Sequence, residues 1–181
     1  MRSADDVIDF WFRQHGMEDW FGGKAEFDAR LAERFADTHP HVARGEAWTW
    51  RKTPEGRLAE IVVLDQFSRQ LHRGSPRAFA QDPMALALAQ EAIAAGADQA
   101  VDKLWQGFFY LPFMHSESLV IQDEGIKLYE GLGEPEQLDY MLAHRATIVR
   151  FGRFPFRNKA LGRESTADEL AYMAEQGDRM F

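Results

Sequence analysis

The sequence predicts an all-α fold of about eight helices, stacked as antiparallel pairs in a single domain spanning residues 1–181. Three observations lead there. Apolar residues recur at helical spacing along the whole chain, and no alternating run is long enough to make a strand. Serine, threonine, aspartate and proline stand where helices should start, and glycine where they should stop. The connections between these segments are short, which favours antiparallel neighbours.

Taken in order, Ser3-Ala4-Asp5-Asp6 supplies a cap for a helix reaching about Gln14, and Gly22-Gly23 precedes a second helix from about Lys24 to Thr38. Thr53-Pro54 puts a capping hydroxyl before a proline at the first helical position, and Gly74 closes that third helix. Asp82-Pro83 repeats the device, with Gly96 as the stop. Two further helices are expected from about Asp98 to Tyr110 and from about Phe113 to Leu132, divided at Pro112 because an interior proline removes a helical hydrogen bond. Pro135 opens the next, which Gly152 ends, and Thr166-Ala167-Asp168-Glu169 is a capping box for the last.

Composition narrows the function classes. With 45% hydrophobic and 13% aromatic residues the chain has enough apolar surface to offset the entropy of folding. It has no cysteine, which removes disulfide and thiolate chemistry and fits a reducing, cytoplasmic setting. The acidic start shows no secretory signal, and the most apolar stretch, Leu104 to Met114, is too short to cross a bilayer. A net charge of −8 argues against nucleic acid or an anionic membrane as partner. The charge is uneven, however. Between His144 and Arg163 lie Arg145, Arg150, Arg153, Arg157, Lys159 and Arg163 without one acid, so this window carries +6 and the rest of the chain −14.

Polar residues in apolar stripes mark candidate sites. In the third helix Leu58, Ile61, Val62, Asp65, Arg69 and His72 share one face, and Asp65 and Arg69 can pair at i,i+4. The helix from Pro135 carries a stripe of Leu138, Met141, Leu142, Ile148 and Val149 with Arg145 in its middle, where a guanidinium needs a carboxylate; Asp65 is the expected partner, with Glu117 the other choice. His115 and Gln122 share a helical face beside Glu117, and His144 offers a second imidazole. The stretch from Arg150 to Asn158 alternates cations with phenylalanines, a pattern that suits an anion held by guanidinium forks between aromatic walls. The competing reading of all these groups is a structural ion-pair network. No metal-ligand spacing, nucleophile elbow, phosphate loop or dinucleotide fingerprint occurs, so neither metal nor cofactor is expected.

Several stretches together carry a likeness to a known group: Leu64-Asp65-Gln66-Phe67-Ser68-Arg69 with Arg73-Gly74 and Ala78-Phe79, then His115-Ser116-Glu117, then His144 and Arg150 through Asn158 with Leu161-Gly162 and Ser165-Thr166. In these the chain resembles the mostly bacterial proteins grouped as domain of unknown function 924, over essentially its whole length. Ser68 departs from the pattern, which would have proline there, and the change should remove a kink rather than a function. The resemblance implies a tetratricopeptide-like helical fold, although no tetratricopeptide consensus aligns to any helix pair. It implies no reaction, cofactor or partner.

The expected function is a non-enzymatic binding module for an anionic small ligand or acidic peptide terminus. Its ligand-binding residues would be Asp65, Arg69, Arg73, His115, Glu117, Gln122, His144, Arg145, Arg150, Arg153, Arg157 and Asn158. The alternative is a small hydrolase-like enzyme using His115 with Glu117 or Asp65 as acid and base.

Overall fold

A computed structural model of the chain describes residues 1–177, which form helices and turns with no strand. They fall into two compact units, one of residues 1–73 and 77–109, the other of residues 74–76 and 110 onward.

In the first unit, α1 (Ala4–Ile8) starts on the expected cap, where Ser3 and Asp6 exchange side-chain and backbone hydrogen bonds. It continues without a break into a π turn, Asp9–Arg13. A short α2 (Met17–Trp20) follows, then α3 (Ala25–Phe35), which buries Phe27, Leu31 and Phe35 at i,i+4 spacing. Next come α4 (His39–Ala43) and a 3₁₀ turn, Trp48–Lys52. The third expected helix is α5 (Pro54–Val62), capped by Thr53 as predicted, followed by a second π turn, Val63–Phe67, and α6 (Ser68–Leu71). Every residue from Leu58 to Ser68 is buried, and α1 and α7 (Asp82–Ala94) both pack against α5. Phe10, Trp11, Phe35 and Phe67 interlock around it with ring centroids 5.1 to 6.5 Å apart.

Pro112 does not divide two helices as expected. It lies inside α8 (Lys103–Met114), and the break comes after Met114, over residues 115–118. The proline removes the helical hydrogen bond that residue 112 would donate to the Phe108 carbonyl, and the helix runs only two residues beyond it. In the second unit, α9 (Leu119–Leu132) and α10 (Pro135–Phe151) run antiparallel, with Gly133 and Gly152 ending them in the left-handed region at φ 73° and 69°. Gly125 allows the close approach, since a Cβ there would meet Met141 Cε at 2.9 Å and Phe113 Cβ at 3.3 Å. A 3₁₀ turn, Pro155–Arg157, leads to α11 (Ala167–Gln176), which opens on the expected capping box of Thr166 and Glu169.

The stripe expected on α10 is out of phase. Met141, His144, Thr147 and Ile148 form its buried face, whereas Leu142 and Val149 are 44% and 56% exposed. Arg145 consequently sits at the margin rather than mid-core. Its partner is Asp123 of α9, at 2.6 Å, and not Asp65.

Candidate functional site

Asp65, Arg69 and Arg73 belong to the first unit, and the other nine candidate residues to the second. The i,i+4 pair forms, with Arg69 Nη1 3.1 Å from Asp65 and also donating to the Asp65 carbonyl at 2.8 Å. The same guanidinium forks onto Asp82 at 2.8 and 2.9 Å, tying α6 to the start of α7. Burial works against the charged guanidinium, but the carboxylates of Asp65 and Asp82 outweigh it and keep Arg69 more firmly protonated than usual. Arg73 pairs with Asp28 at the surface. Beside them Ser68 donates to the Leu64 carbonyl at 2.6 Å and lies 2.7 Å from His39 Nε2. The serine's one proton is committed to the carbonyl, so the imidazole donates to it, and the two do not form a nucleophile–base pair.

In the second unit the basic window folds onto acids that lie outside it. Arg163 forks onto Glu117 at 2.8 and 2.9 Å, and Glu117 also accepts the Phe154 amide at 2.8 Å. Arg153 forks onto the buried Glu169 at 2.7 and 2.9 Å. Asn158 joins the two pairs, donating to Glu169 at 3.2 Å and accepting from Arg163 at 2.9 Å. Arg150 reaches Asp168 at 2.5 Å. Arg157 is buried, donates to the His115 carbonyl at 3.0 Å and stacks 4.4 Å above the Phe154 ring. Burial pushes the Glu117 carboxyl up, but the Arg163 hydrogen bonds, the Phe154 amide and nearby guanidinium charge outweigh it and hold it below the usual range. Arg153 above all holds Glu169 down to about 2.

The two histidines have ring centroids 6.3 Å apart, with His144 Nδ1 donating to the Tyr140 carbonyl at 2.7 Å. Glu117 faces Arg163 and a backbone amide, not the His115 ring. Gln122 is fully buried and gives its amide to the carbonyls of Met114 and Ser116, both at 2.7 Å, which terminates α8.

A cavity that no sequence motif marks lies in the first unit. It has a volume of about 540 Å³ and is lined by three arginines, Arg2, Arg30 and Arg34, of which Arg30 also pairs with Glu26 at 3.9 Å. Arg30 and Arg34 stand one turn apart on α3, and the Arg2 backbone is pinned by a 2.9 Å hydrogen bond from its amide to Thr38 Oγ1. Phe10, from the first π turn, lies beneath Arg34 at 5.4 Å, and Gln14 holds the same guanidinium at 3.0 Å. His15 completes the wall, with Nδ1 2.8 Å from Asp19, and Glu33 is the one carboxylate among the lining residues. Among the described residues no His/Cys/Asp/Glu group has the geometry of a metal site.

The profile of a family described as "Bacterial protein of unknown function (DUF924)" matches residues 7–177. The chain belongs to this family. It is also similar to a solved structure, a protein of unknown function, ATU0120, from Agrobacterium tumefaciens. That likeness has 42% identity and a TM-score of 0.90, covering 95% of this chain and 97% of the other. No curated protein matches. The expected all-α class and family resemblance are thus borne out. No helix among the described residues is long and apolar enough to cross a membrane.

Proposed function

We propose that this protein is a helical binding module for a small anionic ligand, and that the ligand sits in the arginine-walled cavity of the first unit. One observation carries the reading: Arg2, Arg30 and Arg34 border one open cavity of about 540 Å³ whose lining holds a single carboxylate, Glu33, with Glu26 3.9 Å from Arg30 and Asp6 near Arg2 and Arg34 as the acids beside it. Like charges gathered in a concave space repel one another and concentrate positive potential, a cost that an incoming anion relieves. Ligand pockets also fall in this size range. The π turn at Asp9–Arg13 supports the reading further, because such turns disrupt a helix and recur at functional sites. In the basic window of the second unit, by contrast, Arg150, Arg153 and Arg163 already have carboxylate partners, so we read it as a scaffold.

Thermal denaturation with sodium sulfate, against sodium chloride at equal ionic strength, tests this. Sulfate should raise the wild-type Tm saturably, as a ligand specific to the native state does, and chloride should not. Replacing Arg30 and Arg34 together by Gln should remove the sulfate increment. Replacing Arg153 and Arg157 by Gln should lower the starting Tm and leave the increment in place. If the second pair abolishes the increment and the first does not, the site belongs to the basic window and the cavity reading fails.

A further inference from the structure

The cavity contains one group that can tell one anion from another. His15 follows the π turn, in the connection to α2, and its ring is fixed on two sides. Its Nδ1 lies 2.8 Å from Asp19, and the ring packs edge-on against Phe27 at 4.8 Å and tilted against Phe10 at 4.5 Å. A carboxylate at neutral pH only accepts, so Nδ1 carries the hydrogen and Nε2 is left to other work. The hydrogen bond from His15, with Lys24 beyond it, holds the Asp19 carboxyl below its usual range, which keeps this orientation in force. Nε2 has no hydrogen-bond partner among the described residues, and it is not among the sealed polar atoms of the interior. The side chain as a whole is 9% exposed, and it lines both this cavity and an adjoining one formed with Arg13, Gly16 and the start of α2.

We infer that the cavity takes a doubly charged tetrahedral oxyanion, the class of a phosphate monoester, with His15 binding one oxygen through Nε2–H as an imidazolium. This rests on the reading of the cavity as an anion site. A carboxylate has two oxygens and one charge, which a single guanidinium fork satisfies. Three guanidiniums and an oriented imidazole provide more donors and more charge than that. A phosphoryl group has three terminal oxygens and close to two charges, and it fits the set. The charged groups around His15 are Arg13 on the π turn, Asp19 and Glu18 on α2, Lys24 before α3, Arg30 with its partner Glu26, Glu33 and Arg34 on α3, and Arg2. With Nδ1–H bonded to the carboxylate, uptake of a proton at Nε2 gives the ring a second donor and a positive charge.

Calorimetric titration of the full chain separates this inference from the reading beneath it. Sulfate is the probe, because it stays doubly charged throughout the range in which imidazoles titrate, so any pH dependence belongs to the protein. Binding to the wild type should be roughly tenfold tighter at about pH 5.5 than at about pH 7.5, the scale of one added charge-assisted hydrogen bond. His15→Gln should still bind sulfate through the arginines and show a flat profile between the two pH values. Asp19→Asn keeps the imidazole but removes the group that orients it, and it should lose most of the slope. Methyl phosphate should bind at least about tenfold tighter than acetate at the higher pH. A flat wild-type profile, a slope that survives His15→Gln, or acetate binding as tightly as methyl phosphate overturns the inference while the anion site stands. Sulfate binding unaffected by Arg30→Gln with Arg34→Gln overturns both.

Discussion

Glu117 joins three stretches of the second unit, and neutralising it tests whether the basic window is held from within. The carboxylate accepts two hydrogen bonds from Arg163, at 2.8 and 2.9 Å, and one from the Phe154 amide, at 2.8 Å. Glu117→Gln keeps one acceptor oxygen and turns the other into an NH₂ group facing a donor. At least one charge-assisted bond, worth about 1.5 to 3 kcal/mol, is therefore lost, and a guanidinium is left without its counter-charge. Side-chain exposures of 29% for Glu117 and 23% for Arg163 allow water to soften the loss, so the cost should be about 2 kcal/mol. Urea denaturation near neutral pH measures it, and a double-mutant cycle with Arg163→Gln isolates the pair, for which a coupling of about 1 to 2 kcal/mol is expected. Because Glu117 titrates below its ordinary value when folded, its contribution is present above the unfolded carboxyl pKa and disappears as the pH falls through the folded one. The difference between wild type and variant should therefore shrink in acid. A variant within about 0.5 kcal/mol of wild type at neutral pH, or a cycle without coupling, refutes the argument.

Three further outcomes follow from the geometry. Arg145→Met should cost less than about 1 kcal/mol and less again in high salt, because its pair with Asp123 is 36% and 47% exposed; thermal melts at two ionic strengths check this. His39 is buried and uncharged, pushed down to about 4 by burial and then by the positive charges of His72 and Arg77, so the unfolded chain takes up a proton before the folded one does. Stability should be intact above about pH 6.5 and fall by on the order of 3 kcal/mol toward pH 4, a slope that urea titrations should find reduced in His39→Gln. Gly125→Ala sets overpacking onto Met141 and Phe113, about 1 to 3 kcal/mol, against the roughly 1 kcal/mol that alanine gains over glycine within a helix, so a net loss of about 1 kcal/mol is expected; a Tm at or above wild type refutes it.

Local signals in the sequence determine the structure where a few neighbouring residues decide it. Thr53-Pro54, the Thr166–Glu169 box and the stop at Gly152 each act within one helical turn, and each element begins or ends where its cap indicates. On α10 both faces carry apolar side chains, so spacing alone could not choose between the stripe through Leu142 and Val149 and the face actually buried, through Met141, His144 and Ile148. The charge of the window from His144 to Arg163 is plain in the sequence, but the acids that meet it are Glu117, Asp123, Asp168 and Glu169, a matter of tertiary approach. The cavity was hidden for the same reason. Arg30 and Arg34 look like the solvated side of an amphipathic helix, and nothing in the order of residues brings Arg2 and His15 to them.

The π turn at Val63–Phe67 lets this buried segment hold one residue more than an α-helix would. In it residue i+5 takes the place that residue i+4 has in an α-helix, so the extra residue is absorbed within the turn and the side chains beyond keep the phase set by α5. Were one residue of the turn deleted, the segment could wind as ordinary helix with Arg69 still toward Asp82 and Ser68 still toward His39. A residue lost from α5 itself has no such slack and would swing both side chains by about 100°. Changes of length inside this buried coil should therefore fall at the π turn and spare α5.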